Sequence, residues 1–136
     1  MGLFDLFGKK SRKTILTIQE AEKKLGLLFA DDYKNIVKLK FPKEYCYATI
    51  MGLSDKPYLD VVTMTKIARK EYPNIPTNMY VIANLGIDFF YMLQDQTGKI
   101  YECHASTGIQ KAYNNLNEYL QYLEECTPKP KKKNQP

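Results

Sequence analysis

Few residues in this sequence are of a type that performs chemistry. There is one histidine, His104, and there are three cysteines, Cys46, Cys103 and Cys126. Nucleophilic catalysis through His104 requires a thiol or hydroxyl within hydrogen-bond distance of its ring. Cys103 is its neighbour in sequence, but adjacent residues of a strand point to opposite faces and cannot form such a pair. A pairing of His104 with Cys46 or Cys126 is the remaining catalytic arrangement, and a purely structural histidine is the alternative.

The sequence also lacks the residue spacings that are typical of metal-binding and nucleotide-binding sites. No two cysteines have C-x-x-C spacing, and neither an EF-hand nor an H-E-x-x-H pattern occurs. The seven glycines are dispersed at predicted turns and are not gathered in a phosphate-binding loop. We therefore expect a non-enzymatic protein without metal, cofactor or small-molecule substrate. The odd number of widely spaced cysteines favours a reduced, cytoplasmic protein.

The composition indicates one folded domain with charged ends. The chain has 136 residues, of which 44% are hydrophobic, and it carries 11 Tyr and 6 Phe. The net charge is +5, but residues 1–13 carry four cations and one acid, and residues 127–136 carry four lysines. Residues 14–126 therefore sum to −2, with 12 basic and 14 acidic residues. A nucleic-acid footprint needs cations clustered on a folded face, so this balance argues against a nucleic-acid partner.

The two ends are predicted to be separate from the domain at 14–126. Residues 127–136 form a Lys/Pro tail with nothing to bury, which predicts disorder. Residues 1–13 combine an apolar arc of about 160°, if helical, with a cationic cluster. This pattern is typical of a short interfacial anchor that makes weak contact with a membrane surface, but seven residues give only about two turns, so an end that packs on the domain or on nothing is the favoured interpretation. The apolar arc consists of Leu3, Phe4, Leu6 and Phe7.

Capping residues and apolar spacing predict four helices. The capping box from Thr17 to Glu20 starts the first, and Gly26 ends it. Asp60 is predicted to cap the third helix, and Asn115 the last. The predicted helices span about 17–25, 31–41, 61–72 and 115–125.

Residues rich in β-branched and aromatic side chains predict strands between the last two helices. They cover 79–83, 88–93 and 99–105, and the turns between them contain Gly86 and Gly98, which can adopt positive φ. A further short strand is expected within 45–51. The predicted fold class is α+β. Its antiparallel or mixed sheet has a central three-stranded meander packed by N-terminal, middle and C-terminal helices.

The strand at 88–93 has apolar residues on both alternating sets, which has two explanations. One is a face left partly exposed as an aromatic partner site. The other is a sheet covered on both faces, for instance by the segment 43–59. Tyrosines near 45–58 are also suited to a binding surface, because Tyr provides contact area at low entropic cost. The candidate partner-binding residues are Tyr45, Tyr47, Asp55, Tyr58, Asp60, Asp88, Phe90 and Met92.

The ordered series of elements resembles a known family. The capped helix at 17–26 leads through a short link to Asp32 and Tyr33, and the later segments follow at 60–69, 80–88, 95–101 and 116–123. Over about residues 15–124 this series resembles SUKH-superfamily domains of the SMI/KNR type. Two departures lie at Ala30, where the family often has proline, and at 41–44, where it often has an Asn-Gly turn. We therefore expect a remodelled loop at 42–59 that affects the choice of partner.

The resemblance implies a binding role for the protein. Bacterial SUKH proteins are typically immunity proteins that neutralise a polymorphic or contact-dependent toxin by direct binding, and many such toxins are nucleases. A cognate toxin protein is accordingly the expected partner, and a mildly acidic domain suits a basic toxin surface. The alternatives are a regulatory scaffold, the role of some eukaryotic relatives, and a membrane-surface adaptor directed by residues 1–13.

Overall fold

The computed structural model describes residues 14–86 and 90–126, and these residues form an α+β fold with four helices and six strands. The predictions for the two ends, and for Asp88, lie outside the described residues. In chain order the elements are α1 (Ile18–Leu25), α2 (Asp31–Lys40), β1 (Lys43–Glu44), β2 (Thr49–Ile50), α3 (Val61–Glu71), β3 (Met79–Asn84), β4 (Phe90–Asp95), β5 (Ile100–His104), β6 (Gly108–Tyr113) and α4 (Leu116–Cys126).

The six strands form one antiparallel sheet in the order β1-β2-β3-β4-β5-β6. The predicted meander is confirmed as β3, β4 and β5, and the predicted strand at 45–51 is reduced to β2. Strand β6 was not predicted, because it pairs only with β5 and its side chains are at least partly exposed. An edge strand of this kind lacks the apolar run that marks a buried strand.

Local signals fix the helix ends as the sequence predicts. The Thr17 backbone N–H donates to Glu20 Oε1 at 2.9 Å, and the Glu20 N–H donates to Thr17 Oγ1 at 3.1 Å. Gly26 ends α1 with φ of 69°, a left-handed conformation that favours glycine. The N–H of Glu118 donates to Asn115 Oδ1 at 2.9 Å at the start of α4.

Helices cover both faces of the sheet. On one face, α3 packs on β3, and α1 packs on α3. On the other face, Gln94 of β4 donates from Nε2 to Asp32 Oδ1 of α2 at 3.0 Å, and α4 contacts both α2 and β6. The apolar residues on both alternating sets of β4 are therefore explained by burial of the strand on both faces over residues 91–95. Helices contribute to this cover, and Cys46 and Tyr47 of the segment 43–59 line the same groove as Phe90 and Met92 of β4.

Aromatic rings and one carboxylate join α2 to the rest of the core. The ring of Tyr33 is fully buried, and its hydroxyl donates to the Met51 carbonyl at 2.7 Å. Phe29 packs edge-on against Tyr33 and Tyr80, with ring centroids 5.2 Å and 4.7 Å apart. Asp32 accepts the Leu116 N–H at 3.0 Å, so one side chain links α2, the sheet and the start of α4.

Candidate tyrosine groove

Three of the predicted partner residues meet at one groove, which we call the tyrosine groove. Tyr47, Phe90 and Met92 contribute to its wall and floor, and its volume is about 360 Å³. The residues that line it are Cys46, Tyr47, Leu85, Phe90, Met92, Glu102, Tyr113, Tyr119, Tyr122 and Leu123.

Six separate stretches of chain line the tyrosine groove, at residues 46–47, 85, 90–92, 102, 113 and 119–123. Register places Met92 of β4 directly opposite Glu102 of β5. Helix α4 contributes Tyr119 and Tyr122, which share one helix face because they are three residues apart. Tyr113 at the end of β6 packs against both, with ring centroids 5.1 Å and 5.9 Å apart. The segment before β2 closes the groove from the other side.

Exposure divides the tyrosine groove into a rim and a floor. The side chains of Tyr47 and Tyr122 are 55% and 46% exposed, whereas Met92, Tyr119 and Leu123 are at most 2% exposed. A partner would therefore contact the two rim tyrosines directly and meet the floor only through the opening between them. Large amphipathic rings around an apolar floor are typical of binding hot spots.

The tyrosine groove carries negative charge. Glu102 is the charged residue among those that line it, and no lysine or arginine is among them. Burial, and next the charge of the Glu102 carboxylate, raise the pKa of Tyr113. The neighbouring helix α4 adds Glu118, Glu124 and Glu125, of which Glu124 forms a salt bridge with Lys40 at 3.3 Å. The groove therefore favours a partner that presents cationic and apolar groups together.

The hydroxyl of Tyr119 is an unsatisfied polar group on the floor of the groove. It is buried, and the described part of the chain offers it no hydrogen-bond partner. Burial raises the pKa of Tyr119 above the usual range, so the phenol stays protonated and can donate. A buried hydroxyl without a partner costs roughly 1–3 kcal/mol. A polar group introduced by a partner is one way to recover that cost.

The other predicted partner residues lie apart from the tyrosine groove. Tyr58 is 63% exposed on a single 3-10 turn, Pro57–Leu59, and Asp55 is half-buried just before it. Tyr45 packs against the core, and Lys43 Nζ lies 4.8 Å from its ring centre.

Asp60 requires a correction, because it does not present charge to a partner. Its side chain is 1% exposed. Asp60 Oδ2 accepts the Thr63 N–H at 3.0 Å and the Thr63 hydroxyl at 2.9 Å, and Oδ1 accepts the Ser54 N–H at 3.3 Å. The carboxylate is the predicted cap of α3, and that role removes it from the surface.

His104 has a serine hydroxyl within hydrogen-bond distance, but among residues 14–86 and 90–126 no carboxylate is hydrogen-bonded to its ring to complete a triad. His104 Nδ1 lies 2.8 Å from the Ser106 hydroxyl, and its ring packs edge-on against Phe90 at 4.7 Å. Cys103 is buried, and burial raises the pKa of its thiol to about 11. The described residues contain no group of three or more His, Cys, Asp or Glu side chains placed to hold a metal ion. No helix among them is both long enough and apolar enough to cross a membrane.

Comparison with models of protein families identifies the family of this chain. A family model described as SMI1-KNR4 cell-wall, of the SUKH type, matches residues 15–120. The chain belongs to this SUKH family. No curated protein matches the chain, and no solved structure does. The resemblance drawn from the sequence is confirmed, and membership of the SUKH family supports binding to a protein partner.

The sequence predicted a partner role for three of the ten residues that line the tyrosine groove and missed the other seven. Tyr113 was overlooked together with the edge strand β6, and Glu102 was not distinguished from other acids. The three-residue spacing of Tyr119 and Tyr122 was a usable signal, because it places two aromatic rings on one helix face. Which strand this face would oppose was not visible in the sequence.

Proposed function

We propose that this SUKH protein is an immunity-type protein that neutralises a cognate toxin in the cytoplasm by direct binding and catalyses no reaction. Membership of the SUKH family supports this role, because such proteins are typically immunity proteins.

The tyrosine groove is the contact site that we propose. The observation that carries this choice is the pair of exposed rings, Tyr47 and Tyr122, around an apolar floor that bears Glu102. Tyrosines in this position provide contact area with few rotatable bonds to immobilise. The Glu102 carboxylate attracts a basic partner and speeds its association. A nuclease toxin, whose substrate is an anion, presents such a basic surface.

The proposed mechanism is steric cover of the toxin. A cationic side chain with an apolar stem, as in Lys or Arg, can place its stem on the floor near Met92 and its charge near Glu102. A specific interface buries roughly 800 Å² on each partner, which exceeds what one groove supplies. We therefore expect the loop at 43–59, with Tyr58 at its surface, to extend the contact. The toxin then cannot bind its own substrate.

Substitution of the rim tyrosines tests the site. A candidate cognate toxin domain is expressed in a host cell together with the wild-type protein or the double variant Tyr47→Ala/Tyr122→Ala. We expect the variant to lose protection and to bind the purified toxin at least about tenfold more weakly, as for two hot-spot residues. Leu39→Ala is the matched control, because Leu39 is 86% exposed on α2 and does not line the groove.

The outcomes separate three interpretations. Equal protection by the double variant and by the Leu39→Ala control would show that the contact lies elsewhere. Tight binding of the wild-type protein without any protection would favour a regulatory scaffold instead. If the double variant loses protection and also has a lower unfolding midpoint, loss of stability explains the result equally well. Tyr47→Phe/Tyr122→Phe is then tested, because it keeps both rings and should restore binding.

A further inference from the structure

The buried hydroxyl of Tyr119 distinguishes the floor of the tyrosine groove from an ordinary apolar core. The side chain is 2% exposed, and its hydroxyl has no hydrogen-bond partner among residues 14–86 and 90–126. Burial, and next the electrostatic interactions with Tyr113, Tyr122 and Glu102, raise the pKa of the phenol. These three residues also line the groove, so the hydroxyl lies on the groove side of α4. Buried polar groups are normally hydrogen-bonded, and this exception requires an explanation.

The Glu102 carboxylate is a second oxygen group in the tyrosine groove. Glu102 is half-buried on β5, directly opposite Met92 of β4. No cation in the part of the chain that the structure describes forms a salt bridge with it. Hydrogen bonds between an ionised donor and a carboxylate are stronger than those between neutral groups. The carboxylate and the Tyr119 hydroxyl together therefore suit one small cation that can donate hydrogen bonds to both.

The rest of the tyrosine groove suits a cation that is carried on an apolar stem. A cation is attracted to the faces of aromatic rings, and the attraction grows when the site excludes water. Met92 and Leu123 on the floor are at most 2% exposed and can pack against methylene groups. The aromatic side chains of the groove are Tyr47, Phe90, Tyr113, Tyr119 and Tyr122.

We infer that the tyrosine groove receives the side chain of one lysine of the partner, whose ammonium group donates to the Tyr119 hydroxyl oxygen and to the Glu102 carboxylate. This inference rests on the proposed function and names the group of the partner that fills the contact site. The aliphatic stem of the lysine packs on Met92 and Leu123. The Tyr119 hydroxyl thereby gains the hydrogen bond that it lacks in the free protein.

The placement of the two oxygen groups favours lysine over arginine. Tyr119 lies on α4 and Glu102 lies on β5, so the two groups belong to different elements. A planar guanidinium is matched by the two oxygens of one carboxylate, which it binds with two parallel hydrogen bonds. An ammonium group has three rotatable donors and can bind separate acceptors. Tyr119 and Glu102 are therefore the residues that we expect to determine specificity.

Tyr119→Phe tests the inference because it should change stability and affinity in opposite directions. The substitution removes an unsatisfied hydroxyl from the free protein, so the unfolding midpoint should rise. It also removes a hydrogen bond to a charged group in the complex, so the affinity for the toxin should fall at least about tenfold. Thermal unfolding of the full chain and titration with the purified toxin measure the two effects. A purely structural role of the hydroxyl would leave the affinity unchanged.

Tyr91→Phe is the matched control, because it removes a hydroxyl that has a partner outside the groove. Tyr91 donates to Glu71 of α3 at 2.6 Å and does not line the groove. This variant should have a lower unfolding midpoint and an unchanged affinity for the toxin. Equal losses of affinity in the two variants would overturn the inference. A lower midpoint for Tyr119→Phe would also overturn it, because the hydroxyl would then have a stabilising partner in the free protein.

Titration with small compounds examines the site without the toxin. The methyl resonance of Met92 is followed as the full chain is mixed with the N-acetyl methylamides of lysine, arginine or norleucine. We expect a shift with lysine, a weaker response to arginine and none to norleucine, which has the stem without the charge. Glu102→Gln and Tyr119→Phe should both weaken the response to lysine. Tighter binding of arginine, or no shift with lysine, would overturn the inference.

Two other occupants of the groove are tested in the same way. Tighter binding of spermidine than of the lysine compound would assign the groove to a free polyamine and overturn the inference. The four lysines of residues 127–136 are also replaced by glutamine, and we expect no change in the Met92 resonance without ligand. A large change would assign the groove to the chain's own lysines and would overturn the inference as well.

The two sets of measurements separate failure of this inference from failure of the proposed function. Binding of the lysine compound without binding of any toxin would contradict the proposed function and support the lysine site. Tight binding of a toxin that is unaffected by Tyr119→Phe and by Glu102→Gln would support the proposed function and overturn the lysine site.

Discussion

At the residue scale, Asp95 shows how a buried carboxylate stabilises a turn. Asp95 is 8% exposed at the end of β4. Burial opposes its ionisation, but hydrogen bonds from the Thr97 hydroxyl at 2.6 Å and the Tyr101 hydroxyl at 3.0 Å favour the charged form. Backbone N–H groups of Thr97 and Lys99 also donate to it. Together these bonds hold the pKa of Asp95 below its ordinary value.

This lowered pKa predicts the direction of the pH dependence of stability. A carboxyl group whose pKa is lower in the folded state stabilises the fold above its unfolded pKa of about 3.9 and loses that contribution as pH falls further. We expect the free energy of unfolding to decline below about pH 4. Asp95→Asn should be less stable at neutral pH and should show a shallower decline in acid. Urea titrations across this pH range measure how the free energy of unfolding of each protein changes with pH. Equal slopes for the wild-type protein and Asp95→Asn would exclude Asp95 as a source of the pH dependence.

At the element scale, Gly52 joins the sheet to α3. Its N–H donates to the Leu59 carbonyl at 2.9 Å, and its carbonyl accepts the Val61 N–H at 2.8 Å. A Cβ added at Gly52 would lie 2.5 Å from Pro42 N and 2.6 Å from the Phe41 carbonyl carbon. Backbone atoms cannot rotate away as a side chain can. The close approach therefore requires glycine, and it holds the loop at 42–59 against the end of α2.

Gly52→Ala should destabilise the fold strongly. We expect a loss of at least about 3 kcal/mol, because overpacking against backbone forces the elements apart. Gly86→Ala is the matched control: Gly86 has φ of 73° but no atom within 4 Å of an added Cβ. It should cost only about 1–2 kcal/mol, the strain of a left-handed conformation. Denaturant unfolding of both variants measures the difference, and similar losses would contradict the packing argument.

Helices were predicted better than strands at this scale, for a physical reason. Caps such as Thr17 and Asn115 act within four residues, so their signal is local. An edge strand such as β6 depends on its single neighbour β5 for its hydrogen bonds and leaves no apolar run in sequence. The need for glycine at position 52 was not visible in the local sequence either, because the backbone that excludes a side chain there belongs to Pro42 and Phe41, at least ten residues away.

At the scale of the whole molecule, two grooves differ in charge. The tyrosine groove is lined by Glu102 and no cation, whereas the groove between α1 and α3 is lined by Lys24, Lys66 and Lys70 and no acid. They lie on opposite faces of the sheet, so a partner at one groove leaves the other accessible.

Charge reversal compares how much Glu102 of the tyrosine groove and Asp55 of the loop at 43–59 contribute to the attraction of a basic toxin. Glu102→Lys should slow association several-fold, and more at low salt, because long-range attraction is screened by ions. Asp55→Lys is the comparison, since it reverses a charge in the loop outside the groove. Stopped-flow association rates at two salt concentrations measure the effect. A larger effect of Asp55→Lys would move the contact to the loop.

The sequence by itself determined the features that depend on neighbours in the chain. These are the four helices, three of which have side-chain caps, the central meander, the SUKH family and the separation of charge between the ends and the domain. Only the tertiary structure decided which residues meet. Asp60 and Asp55 lie five residues apart, yet burial makes one a helix cap and leaves the other half-exposed. The tyrosine groove joins side chains from 46 to 123. Such contacts arise because helices bury their apolar faces on a sheet, and that choice of partners is not encoded in any short segment.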